Sequence, residues 1–251
     1  MQIMEKKENI KIEATQWVGK IASAMPSSIP LFEKLKIDYC CGGNRALQEA
    51  CQLAGVSLAE TLSALEKLQT ERKTADTTDW PNKTMTELID HILAKHHAYT
   101  REQLARLKKL SAKVKDVHGA HQPELARVDE IVQLMSEEME GHMGKEEEQV
   151  FPYLKAVEAV GGRKDGIPDP FLRESEDTHP LRILMWEHGM TGEEFVELNQ
   201  LTNNFEPPED ACNSYRGLYH GLKEMEQDLH QHVHLENNIL FSKAEAAGIL
   251  D

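Results

Sequence analysis

Leu229-His-Gln-His-Val-His-Leu-Glu-Asn-Asn-Ile-Leu-Phe241 is the stretch on which the fold turns. His232 and Glu236 are four residues apart, so on an α-helix they stand one above the other on the same face. An apolar stripe through Leu218, Met225 and Leu229 runs into His232 at helical spacing, and the same wheel puts His230 and His234 on the wetted side. One histidine and one carboxylate therefore point into a core of Leu and Met. Burying them unpaired is costly, whereas a metal ion would satisfy both.

The pattern occurs twice. His142-Met-Gly-Lys-Glu146, followed by Phe151, repeats His232 to Glu236, followed by Phe241, at a constant offset of 90 residues. Ile92-Leu-Ala-Lys-His-His97 likewise matches Ile183-Leu-Met-Trp-Glu-His188 at an offset of 91. Residues 84 to about 247 read as two similar helical hairpins. In each, the first helix offers one His and the second a His and a Glu. Ile89 and Leu93 place His97 on an inward stripe, and Met85, Leu88 and Ile92 do nearly the same for His96. The match with His188 favours His97.

Four His and two Glu could crowd around one metal, but two equivalent hairpins suggest two. If both carboxylates bridge, each metal has two imidazoles and two carboxylate oxygens. A bridging oxide or hydroxide would be a fifth ligand, and a sixth position could stay open. Nitrogen and carboxylate ligands suit iron, manganese or zinc, and a duplicated carboxylate-bridged site in a helix bundle favours iron. The competing reading is exposed helical residues in an acidic protein, which two in-phase copies on apolar stripes argue against.

Outward from this core, 251 residues allow one large domain or two small ones. The net charge of −15 argues against nucleic acid and anionic membrane surfaces. No signal-peptide core or bilayer-length apolar run is evident, and four Cys do not make a disulfide framework, so a reducing cytoplasm is expected. Residues 1–70 read as a small helical module, with helices over 12–24 and 26–35 and a third from about Asn44, ended by Gly55. Ser57-Leu-Ala-Glu60 and Thr84-Met-Thr-Glu87 are capping boxes. Residues 71–83 read as a linker and 84–251 as the bundle. Its second helix covers about 123–158 with a bend at Pro152, its third about 178–202, and 161–170 is the loop between hairpins.

The Asp38-Tyr-Cys-Cys-Gly-Gly43 turn carries the other chemistry. The glycines let the backbone bend, and a helix N-terminus just beyond would favour thiolate at Cys40 and Cys41. Reactive thiols, a transient metal site or a redox pair could follow; two small buried hydrophobes beside a turn is the alternative. Cys51 and Cys212 read as packing residues, and His91, His118, His121, His179 and His220 as surface or packing residues.

Across nearly its whole length the sequence resembles the RIC ("repair of iron centres") family, whose members join a Cys-Cys-Gly-Gly module to a hemerythrin-like di-iron bundle. The resemblance rests on Asp38 to Gly43, on His142 with Glu146, and on His232 to Phe241. It implies an all-α fold, a hemerythrin-like four-helix bundle preceded by a small helical domain. It also implies two iron ions per chain held by His97, His142, Glu146, His188, His232 and Glu236, with both glutamates bridging and an oxo or hydroxo bridge. A cytoplasmic homodimer follows, serving iron–sulfur proteins damaged by oxidative or nitrosative stress. Reduction of nitric oxide or peroxide at the iron, and sensing of nitric oxide or oxygen without catalysis, are the alternatives. One departure is His96, where the resemblance leads to an aromatic residue. Oxygen-carrying hemerythrins are expected to place a further His one turn after the third helix's ligand, where this chain has Gly192.

Overall fold

The computed structural model describes residues 12–70, 78–162, 167 and 180–249. The expected linker segment 71–77, most of the 161–170 loop and His179 lie outside the described residues. The chain divides into two compact units, Met1–Asn82 and Lys83–Asp251.

The first unit holds α1 (Val18–Ala24), α2 (Ile29–Leu35), α3 (Leu47–Ala54) and α4 (Leu58–Thr70), with a 3-10 turn over Trp80–Asn82. The first helix starts at Val18 rather than at residue 12. Its N-terminus is used by another segment: Val18 N donates to Arg45 O at 3.0 Å and Gly19 N to Gly43 O at 2.8 Å. The third begins at Leu47 rather than near Asn44, because 41–44 turn to reach those donors. Val18, Phe32, Tyr39, Leu47 and Leu65 centre a small core. Gly55 takes the left-handed conformation that ends α3 (φ 68°).

The second unit is an all-α four-rod bundle. The first rod joins α5 (Met85–His91), a π-helical segment Ile92–His97, and α6 (Ala98–His118). The second joins α7 (Glu124–Lys145), a π segment Glu146–Val150, and α8 (Phe151–Ala159). The third is α9 (Pro180–Leu201), and the fourth joins α10 (Asn213–Leu235), a π segment Glu236–Leu240, and α11 (Phe241–Ala246). α6 packs on α7 and α10, and α7 on α9. Thr84 opens the first rod with both hydrogen bonds of its capping box. Inward stripes follow the helical period, as in Leu125, Val128, Val132, Met135, Met139 and Met143 of α7. No helix among the described residues is long and apolar enough to cross a membrane.

Each π segment adds a residue to one turn and so shifts which face points inward. In the first rod this resolves the His96/His97 ambiguity: both rings are buried. In the second the change of pitch comes at Glu146, before Pro152, whose missing N–H suits the irregular ladder there. In the fourth it starts at Glu236, 90 residues on. His234 is a correction, since it lies 2% exposed rather than on the wetted side. It precedes the π turn, where all of 232–237 is buried.

Candidate metal centre

The six side chains singled out in the bundle meet at its middle. They form two sets, His97, Glu146, His232 and Glu236, and His142, Glu146, His188 and Glu236, with the ligand atoms of each within 4.8 Å of one another. All six residues are at most 4% exposed.

The carboxylates belong to both sets, one oxygen to each. Glu146 turns Oε2 to His97 Nε2 (3.3 Å) and Oε1 to His142 Nε2 (3.4 Å). Glu236 turns Oε1 to His232 Nε2 (2.9 Å) and His97 Nε2 (3.7 Å), and Oε2 to His188 Nε2 (3.2 Å).

The outer faces of the rings decide their tautomers. A carboxylate or an amide oxygen can only accept. His97 Nδ1 therefore donates to Glu147 Oε1 (2.7 Å), His142 Nδ1 to Glu187 Oε2 (2.9 Å) and His188 Nδ1 to Asn237 Oδ1 (2.9 Å). The neutral ring then aims an Nε2 lone pair inward, as a metal requires. His142 and His188 bring these nitrogens to 2.9 Å, where two lone pairs would repel unless a proton or a cation lies between them. Arg101 holds Glu147 at 2.7 Å, and Lys145 holds Glu187.

His97 Nε2, both oxygens of Glu146 and Oε2 of Glu236 make no hydrogen bond although they face one another. Without an ion, burial works against a charge on His97, but Glu146 and Glu236 outweigh it and hold the ring up at about 10. His142 is likewise held at about 10, against burial, by Glu146 first. Burial also opposes charge on the glutamates, yet facing imidazoles keep Glu146 below the usual carboxylate range and Glu236 well below it. Two carboxylates and four imidazoles removed from water cost several kcal/mol per charge unless compensated. A pair of cations between them would compensate that cost. The residues fit a metal: the donors are nitrogen and oxygen, sulfur is absent from both sets, and the unbonded atoms face inward.

Spacing alone did not reveal Glu147, Glu187, Asn237, Asp228 or Arg101. A signal was present, since the offset that aligns the ligands also aligns Glu147 with Asn237 and Glu187 with His96. His96 takes the part of the expected aromatic residue. Its ring stacks on His232 (centroids 5.4 Å, planes 11° apart), and its Nδ1 donates to Asp228 at 3.0 Å.

In the first unit Asp38, Cys40 and Cys41 also gather. The thiolate expectation is corrected at Cys40. No helix begins just beyond the pair, and the neighbouring Cys41 thiol, burial and Asp38 together push the Cys40 thiol well above its usual value. Cys51 is buried in the core, as packing requires, but Cys212 is exposed at the N-cap of α10. Backbone N–H groups there, Tyr215 first, and the His118 ring at 3.2 Å lower its thiol to about 7.

Two families match the chain. Residues 14–69 match ScdA_N, a domain of unknown function (DUF542), and residues 88–244 match the hemerythrin HHE cation binding domain. The chain is 33% identical over 230 residues to a probable iron-sulfur cluster repair protein of Haemophilus influenzae, covering 92% of this chain and 96% of that one. It is 34% identical over 230 residues to the iron-sulfur cluster repair protein YtfE of Yersinia pseudotuberculosis, covering 91% and 96%. The YtfE protein of Yersinia pestis is equally similar.

Proposed function

Since this chain belongs to the family of iron–sulfur cluster repair proteins that join a ScdA_N domain to a hemerythrin HHE domain, we propose that it restores iron–sulfur clusters damaged by oxidative or nitrosative stress. In this reading it holds two iron ions with an oxo or hydroxo bridge and gives iron to the damaged acceptor. The observation that supports it best is the division of each carboxylate between two ligand sets. Glu146 and Glu236 each turn one oxygen to either side, as bridging ligands do. His97 and His232 complete one set and His142 and His188 the other.

Iron held there would supply a transferable ion and a change between ferrous and ferric states. The chain supplies the rest. Glu147, Glu187 and Asn237 fix three rings with their Nε2 atoms inward, which also makes the rings more basic ligands. Phe151 beside His97 and Phe241 stacked on His188 keep water from the inner faces. The damaged iron–sulfur protein is the partner.

The test is iron analysis joined to an activity. Protein purified from aerobic cells is expected to hold about two iron per chain. Its reduced form is expected to lose iron to a chelator faster than its oxidised form, and to reactivate a peroxide-damaged cluster enzyme with no iron added. Many turnovers of nitric oxide or peroxide with iron retained and no cluster rebuilt would replace donation by reduction at the same site.

A further inference from the structure

The turn Asp38 to Gly43 contains three metal-binding side chains that the bundle does not use. We propose that Asp38, Cys40 and Cys41 form a separate mononuclear site for a divalent transition ion that accepts thiolate, such as ferrous iron or zinc, with one coordination position open.

Spacing is the first argument. Cys40 Sγ lies 3.9 Å from Cys41 Sγ and 3.5 Å from Asp38 Oδ1. A tetrahedral ion bound at about 2.3 Å by sulfur and about 2.0 Å by oxygen sets two sulfurs about 3.8 Å apart and sulfur and oxygen about 3.5 Å apart. Two edges of the ligand triangle thus already have the length an ion would impose. The third, between Cys41 and Asp38, is within 4.8 Å. Three protein ligands leave a fourth position to water or an exchange partner.

Preorganisation is the second. Tyr39, between the ligands, is 1% exposed, stacks on Phe32 and donates its hydroxyl to Glu33 at 2.8 Å. On the other side Gly43 O and Arg45 O are held by the start of α1. Cys40 N donates to Asp38 Oδ1 at 3.2 Å, while Arg45 sits 3.7 Å from Oδ2, so the carboxylate is oriented from both oxygens. Gly42 makes room for it: a Cβ there would come within 2.7 Å of Asp38 Oδ2 and 2.6 Å of the Arg45 guanidinium. A side chain at 42 would therefore push the carboxylate and the guanidinium out of this arrangement.

Access is the third. Cys40 is buried, Cys41 half-buried and the Asp38 side chain 44% exposed, so an ion can reach the open side of the triangle without the unit unfolding. The Cys40 thiol, held protonated in the ion-free chain, gives up its proton as the ion enters. Two thiolates and a carboxylate favour zinc or ferrous iron over calcium or magnesium.

The proposal is independent of the bundle's role, because the bundle's ligand sets contain no sulfur. The full-length, iron-loaded protein carrying Cys212→Ser, which removes the exposed competing thiol, is titrated with cobalt(II) under anaerobic reducing conditions. One equivalent is expected to bind with a thiolate-to-cobalt charge-transfer band, and displacement by zinc or by ferrous iron then ranks the two ions. Cys40→Ser with Cys41→Ser removes the band, and Asp38→Asn weakens binding at least tenfold. Absence of the band, its survival in the double serine variant, or undiminished affinity in Asp38→Asn overturns the assignment. A further arm needs no variant of the site. Zinc is expected to protect Cys41, the half-buried thiol of the pair, from alkylation read residue by residue in a mass spectrometer; an unprotected Cys41 overturns the proposal.

Discussion

The two halves of the bundle site are copies in their ligands and differ in what stands behind them. His97 and His232 face one pair of glutamate oxygens, His142 and His188 the other. Behind His97 stands Glu147, and the equivalent position behind His188 is Asn237. Behind His142 stands Glu187, and the equivalent position beside His232 is the stacked His96. Duplicated chain positions therefore differ in charge, yet each set keeps one carboxylate-backed imidazole. The difference teaches that one outer carboxylate is kept per set, while the residue that supplies it has moved from one rod to another. It also leaves the halves unequal in restraint, because His232 Nδ1 makes no hydrogen bond whereas all outer nitrogens of the other set do.

Breaking the shared carboxylates gives the largest effect. Glu236→Ala or Glu146→Ala removes a ligand from both sets and is expected to abolish binding of both ions. His188→Ala or His97→Ala is expected to cost chiefly one of them. Metal per chain by elemental analysis decides, and equal losses in all four variants would dissolve the idea of two sets sharing a bridge.

The outer carboxylates come next. Glu147→Gln and Glu187→Gln each keep shape and lose charge, and each is expected to weaken its own set by about 10–100-fold in chelator competition. Asn237→Ala is expected to cost less, since the lost partner is neutral. Were Asn237→Ala to match the glutamate variants, orientation rather than charge would be what these residues supply.

pH separates the loaded from the ion-free chain. His97 and His142 sit at about 10 in the ion-free fold against 6.5 without it, so the stability they contribute is complete below pH 6.5 and is lost as pH rises towards 10. The melting temperature of ion-free protein is expected to fall across that window. The loaded chain is expected to behave oppositely, losing its ions as acid protonates the rings. Parallel melting curves at all pH values would contradict a centre built from these imidazoles.

The smallest effect belongs to the stacked pair. His96→Phe keeps a ring against His232 and gives up the bond to Asp228, so metal content is expected to hold and the melting temperature to move by no more than about 4 °C. His96→Ala leaves His232 without a stacking neighbour and is expected to loosen that set selectively.

Amphipathic spacing in the sequence was enough to determine the bundle and the convergence of His97, His142, Glu146, His188, His232 and Glu236, because a helical stripe repeated at a constant offset is a one-dimensional signal. Cap chemistry showed where the first rod begins, at Thr84. Tertiary structure decided what a regular helical wheel cannot. The π turns at 92–97, 146–150 and 236–240 each add a residue to a turn, and the first buries His96 with His97. His234, still on the α-helical part of its rod, is buried by the packing around it. Packing between rods chose Glu147, Glu187 and Asp228 as partners, since each contact joins residues 45 to 132 positions apart. In the small unit, the start of α1 drew Gly43 and Arg45 into a turn, so Cys40 became a buried thiol beside Asp38 rather than a thiolate at a helix end. Local propensity records which conformations a segment tolerates; which one it adopts depended on donors and acceptors supplied from elsewhere in the fold.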